Sequence, residues 1–251
     1  MCTLRTMEAI IKGTTLPVLE ITLDQGEAVI STHGELSWMT PNIVLSQTTG
    51  GGGGRGGGFL AGVKRMIGGG SFFQTQYQAQ GAGTGMVAFA TKAPGQILPM
   101  QVNPGNALLV HRHGFLCGTP GITATASPVP GLGAGMWGGE GFVLQRLEGH
   151  GEAWIELSGE VTSYQLAPGQ TILAHPGHVG LLQQSVNFQI TRIQGVRNIL
   201  FGDNGFHLVA LTGPGEIWLQ SMPLPLLAGA ISPYLPHPSG DQGRPEVKLF
   251  G

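Results

Sequence analysis

Charge is what this sequence has least of. Of its 251 residues, 10% are Asp, Glu, Lys or Arg, against about a quarter in an ordinary soluble protein. So little charged surface predicts faces covered by other subunits, hence a homo-oligomer. The formal net charge is -2, and Lys64-Arg65 is the only adjacent Lys/Arg pair. Nucleic-acid affinity rests on neutralising phosphates with Lys and Arg, so no nucleic-acid partner is expected. Cysteine is scarce as well: Cys2 and Cys117, with no CxxC. That excludes a disulfide framework and fits a reducing compartment. No apolar run approaches the ~20 residues of a membrane-spanning helix; "PLPLLAGAI" (223–231) is too short and carries prolines. The N-terminal "MCTLRTMEAIIKG" has no signal-peptide apolar stretch. A soluble, cytoplasmic protein is expected.

Catalytic motifs are missing too. There is no Gly-x-Ser-x-Gly elbow. The glycine-rich run 50–58 offers no Gly-Lys-Ser/Thr, because Lys64 is followed by Arg65. It also lacks Rossmann spacing with a downstream carboxylate. No carboxylate pair suggests acid/base work; Glu152 and Glu156 are expected on a solvated strand face. Cys117, between Leu116 and Gly118, reads as a packed thiol rather than a nucleophile. A non-enzymatic protein without a cofactor is expected.

What the chain does have is punctuation: 44 glycines and 17 prolines. Between them lie short alternating runs such as "VLEITL" (18–23) and "EAWIEL" (152–157). Alternation bounded by turn residues is the signature of half-buried strands. The fold class is therefore all-β. The best helical stretch is "FLAGVKRMI" (59–67), one or two turns framed by glycine.

The strand runs also repeat. Segments 21–45, 100–125 and 164–190 share a tight turn, centred on Gly26, Gly105 and Gly169, followed by a strand and a second turn. Further on, Gly-x-x-[Ser/Gly]-Phe recurs at Phe72, Phe142 and Phe206, each followed by a strand and Gly-x-Gly. Trp154 and Trp218 then share a position that Ala88 fills in the first copy. The reading is three tandem β units, sandwich- or β-helix-like, over about 10–98, 99–162 and 163–225. Units this small bury little alone. They are expected to form one compact domain, 1–225, sharing a core around a pseudo-threefold axis. Residues 226–251 are expected to be a C-terminal tail.

The stretches "GGGFLAGVKRMIGGGSFF", "GLGAGMWGGEGFVLQRLEGHGEAWI" and "PGQTILAHPGHVGLLQQSV" resemble the altered-inheritance-of-mitochondria protein 24 family. The resemblance covers about residues 7 to 221. Bacterial members are largely of unknown function. It implies a β fold of three tandem subdomains, related to that of the trp RNA-binding attenuation protein. A fold relation does not carry RNA binding across. No agreed catalytic residues come with the family.

Two patterns carry candidate chemistry. Gly105-Asn-Ala-Leu-Leu-Val-His111-Arg-His113 has the spacing of the first cupin metal motif, and on a strand His111 and His113 would share a face. The carboxylate expected a few residues later is missing. The plainer reading is two histidines on an exposed face or at a unit interface. The second pattern is the apolar element within 59–73. Phe59, Leu60, Val63, Lys64 and Met66 offer an interaction surface for a partner or, peripherally, a membrane; the plainer reading is a cap on the β core. The functional expectation is scaffolding or binding through self-association. The cupin-like metalloprotein and the membrane-surface protein are its alternatives.

Overall fold

The computed structural model describes residues 7–32, 34–49, 73–128, 143–192 and 207–235. Its regular structure is nearly all strand, so the all-β expectation is met. After β1 (Glu8–Lys12), the strands follow in three sets. The first is β2 (Val18–Leu23), β3 (Ala28–Thr32), β4 (Trp38–Met39), β5 (Ile43–Thr49), β6 (Phe73–Ala79) and β7 (Gly85–Ala90). The second is β8 (Gly95–Val102), β9 (Leu108–His111), β10 (Phe115–Gly118), β11 (Ile122–Pro128), β12 (Val143–Gly149) and β13 (Gly151–Ser158). The third is β14 (Val161–Leu166), β15 (Thr171–Ala174), β16 (Val179–Gln183), β17 (Asn187–Arg192), β18 (His207–Thr212) and β19 (Gly215–Gln220).

Within each set the pairing is antiparallel. The opening strand pairs with the closing one, as β2–β7, β8–β13 and β14–β19. The third strand lies on the other side of that closing strand, as β4–β7, β10–β13 and β16–β19. The remaining three form their own ribbon: β5–β6–β3, β11–β12–β9 and β17–β18–β15. Successive sets join edge to edge, β3 to β10 and β9 to β16. Two six-stranded sheets result, β5-β6-β3-β10-β13-β8 and β11-β12-β9-β16-β19-β14. At the two ends remain a four-stranded sheet, β1-β2-β7-β4, and a three-stranded one, β15-β18-β17.

Local chemistry explains the elements. β2 alternates as expected, with Leu19, Ile21 and Leu23 fully buried and the residues between them partly exposed. The expected tight turns are present. Glu27 donates its N–H to the Asp24 carbonyl, Asn106 to Asn103, and Gln170 to Ala167. Gly26, Gly105 and Gly169 take φ of +84°, +79° and +78° at the turn position where a side chain would be strained.

The core departs from expectation. The buried apolar residues form three clusters rather than one shared core. Neighbouring clusters interlock across the sets: Leu116, Cys117 and Trp154 of the second set pack into the first cluster. Leu181 of the third packs into the second. A second departure lies in β13, where residues Ala153 to Ser158 are all buried. Glu156 is therefore inside, not on a solvated face: β13 is an interior strand between β10 and β8, and the Glu156 side chain meets Lys92. A third is α1 (Leu224–Ile231), followed by a 3-10 turn at Ser232–Tyr234. This helix crosses residue 225, where a tail was expected to begin. The short helical element near 59–67 and the glycine run 50–58 lie outside the described residues.

Candidate functional site

The strand that carries the first histidine ends there. β9 stops at His111, and Arg112 and His113 form the turn that leads into β10. The Gly114 N–H donates to the His111 carbonyl at 2.8 Å. A Cβ on Gly114 would come within 2.5 Å of Val110 Cγ1 and 2.7 Å of the His111 ring, so glycine is what lets the turn fold against the imidazole. Because β9 ends, strand alternation does not govern His113, and the expected common strand face for His111 and His113 is not formed. The two do line one cleft of about 140 Å³. Its walls also include Arg112, Ser158, Gln220 and Leu224 of α1.

His111 is held by the backbone of β13. Its Nε2 lies 3.0 Å from the Glu156 carbonyl. A carbonyl only accepts, so the ring is the Nε2–H tautomer and Nδ1 keeps the lone pair. The Glu156 N–H in turn donates to the Gly114 carbonyl at 2.8 Å, so the backbone of one residue holds both the His111 ring and the turn that follows it. Burial lowers the His111 pKa to about 4, and the neighbouring His113 and Lys92 push the same way against the carbonyl bond. His113 is lowered by burial and by Arg112. Both imidazoles are therefore neutral at physiological pH.

Behind this wall sits an ion cluster that sequence reasoning missed. The Lys92 ammonium pairs with Glu35 and lies 3.3 Å from Glu156 Oε1. Both carboxylates are nearly buried, with side chains 9% and 8% exposed, and burial raises the pKa of each. Burial pulls Lys92 down, but the two carboxylates outweigh it and the net shift is upward. The three residues come from the connections flanking β4 and β7 and from β13, so only tertiary pairing assembles them. No spacing in the sequence signals that.

A second histidine pair lies beside the same cleft, whose lining includes Gly177 and Val179 on either side of His178. His175 caps, and His178 ends, a 3-10 turn at Pro176–His178, their rings edge to face at 5.9 Å. His178 Nδ1–H donates to the Gln220 carbonyl at 2.8 Å. His175 Nδ1 accepts from the Gly177 N–H at 3.3 Å. Among the described residues, no three His, Cys, Asp or Glu side chains are grouped as a metal would need. Cys117 is fully buried in the first core cluster. Burial pushes its thiol well above the usual range, as a packed thiol rather than a nucleophile. Phe59, Leu60, Val63, Lys64 and Met66 lie outside the described residues. No described helix is long and apolar enough to cross a membrane.

Comparison with known proteins places this architecture. The family model described as mitochondrial biogenesis AIM24 matches residues 9–222, which takes in every described strand except the first residue of β1. The chain belongs to the AIM24 family. An uncharacterized protein of Streptococcus pyogenes serotype M6 is 27% identical over 222 residues, 88% of this chain and 87% of that protein. An X-ray structure of a protein from Streptococcus pyogenes superposes with a TM-score of 0.71, covering 92% of this chain and all of the other, at 24% identity. That likeness is one of fold. The AIM24 match thus extends over all three strand sets, the ion cluster and the histidine cleft apart from its α1 wall.

Proposed function

We propose that this AIM24 protein is a non-enzymatic scaffold that works by self-association, built from three copies of one six-strand β unit. The observation that carries the reading is the recurrence of one pairing scheme in one register. Ile30, Leu109 and Leu173 each lie four residues after a turn glycine, and each faces a residue four after the repeated phenylalanine: Gln76, Arg146 and Ala210. Ala88, Trp154 and Trp218 likewise face Glu20, Pro99 and Ser163. The units are joined through strand edges, β3 to β10 and β9 to β16. A module that already adds to itself by edge pairing inside one chain is suited to adding further copies.

The cleft fits this role. Its histidines are neutral, and His111 ties β9 to β13 through the Glu156 carbonyl. The sparse charge and net charge of -2 support a protein partner rather than nucleic acid. Light scattering across a micromolar to millimolar series of the purified chain tests the proposal. Mass should rise above that of one chain; a monomer at every concentration overturns it.

A further inference from the structure

Which strands lie at sheet edges distinguishes two of them from the rest. In the two six-stranded sheets, the edges are β5 and β8, and β11 and β14. The third strand of a set, β10 or β16, is interior there, and so is the second strand, β3 or β9. Only in the end sheets do strands of these kinds become edges: β4 closes one sheet and β15 closes the other. Among the described residues, β4 and β15 do not pair with each other. Each end sheet is missing the half that the other supplies.

Exposure follows the same logic. In the register against the closing strand, Trp38, Cys117 and Leu181 are equivalent, facing Ala88, Trp154 and Trp218. Cys117 and Leu181 are fully buried, whereas Trp38 is 45% exposed. One residue on, Leu182 is fully buried and Met39 is 37% exposed. On the opposite edge, Ile30 is 3% exposed and its equivalent Leu173 is 54% exposed. Natural sheets guard free edges with charge or proline. "WM" and "TILA" carry neither.

Resting on the self-association reading, we infer that β15 of one copy pairs antiparallel with β4 of a second copy of this chain. The register follows from the joints already made inside the chain. Val110–Leu181, Leu109–Leu182 and Leu108–Gln183 pair at one, and Ile30–Gly118 at the other. The equivalent contacts between copies are Ala174 with Trp38, Leu173 with Met39, and Ile172 with Thr40. This joins the three-stranded and four-stranded end sheets into one. The contact is head-to-tail: each copy uses a different edge toward each neighbour, so assembly continues until a ring closes or a filament grows.

Two single variants and their mixture test this. A lysine on an exposed edge blocks pairing without entering the core, so Leu173→Lys and Met39→Lys should each keep wild-type circular dichroism. Each should be monomeric by light scattering where the wild type assembles. Mixed, they should form a one-to-one dimer and nothing larger, because one intact edge of each kind remains. Leu173→Cys in one copy and Met39→Cys in another, both with Cys2→Ser, should cross-link under mild oxidation, while Thr171→Cys with Met39→Cys should not. If the wild type assembles but both variants assemble equally well, or their mixture stays monomeric, the edge pairing is overturned and self-association stands. A wild type that is monomeric throughout overturns both.

Discussion

His111 illustrates how a single residue's chemistry is set by its neighbours. Its pKa falls from an ordinary 6.5 to about 4 on folding. Between those values the unfolded chain holds a proton that the folded chain does not, so stability is lost as pH falls through that window. The loss approaches about 3 kcal/mol, at about 1.4 kcal/mol per pKa unit. Glu35 and Glu156 act with the opposite sign. Their raised pKa values mean the folded chain takes up protons first, adding stability as pH falls through them. Comparison with His111→Gln isolates the histidine, since the carboxylates are common to both proteins. The stability gap between wild type and variant, from urea unfolding, should shrink by up to about 3 kcal/mol between neutral pH and pH about 4. A gap independent of pH would contradict the assignment. At this scale the sequence was half legible. The spacing of His111 and His113 was visible, and they do share a cleft. That β9 would end between them was not, because the stop is imposed by Gly114 folding onto the ring and by the Glu156 backbone bonding to both the ring and Gly114.

At the scale of elements, two kinds of glycine carry different constraints. Gly26 has open space around its Cα but a φ of +84°, so Gly26→Ala should cost about 1 kcal/mol through backbone strain alone. Gly95 lies in β8 where a Cβ would sit 2.0 Å from the Leu157 carbonyl oxygen. The three nearest atoms, Leu157 O and C and Ser158 Cα, all belong to backbone, which cannot rotate aside, so Gly95→Ala should cost about 3 kcal/mol. Thermal or urea unfolding of the two variants should rank them in that order, and equal losses would contradict the packing argument. The turn at Gly26 was readable from Asp24-Gln25-Gly26, since turn chemistry is local. The approach of β8 to β13 was not, because it depends on a strand more than fifty residues away. The helix α1 escaped notice for a related reason. Its sequence "LPLLAGAI" has apolar residues on every side and none is buried, so it carries no amphipathic period to detect.

At the scale of the whole molecule, stability should be graded along the row of units. Residues of β10, β13 and β16 belong to clusters shared between neighbouring sets, so their amides should exchange slowest in deuterium. β4 and β15 are edges among the described strands, whereas their equivalents β10 and β16, and β3 and β9, are interior. The amides of β4 and β15 should exchange fast in dilute protein and, unlike those of the other edge strands, slow as concentration rises. No concentration dependence confined to those two strands would count against pairing between copies. Here the division between sequence and structure is plain. Alternating apolar residues, positive-φ glycines and repeated spacings are local patterns, and they alone determined the all-β class, the turn positions and the order of the strands. Tertiary structure decided the rest: that the core divides into three interlocked clusters, that Glu156 is drawn inside to meet Lys92 and Glu35, and that β4 and β15 are left as edges. Each of those depends on which strand lies beside which. Sheet hydrogen bonds join residues far apart in the chain, and every strand looks alike until its neighbour is in place.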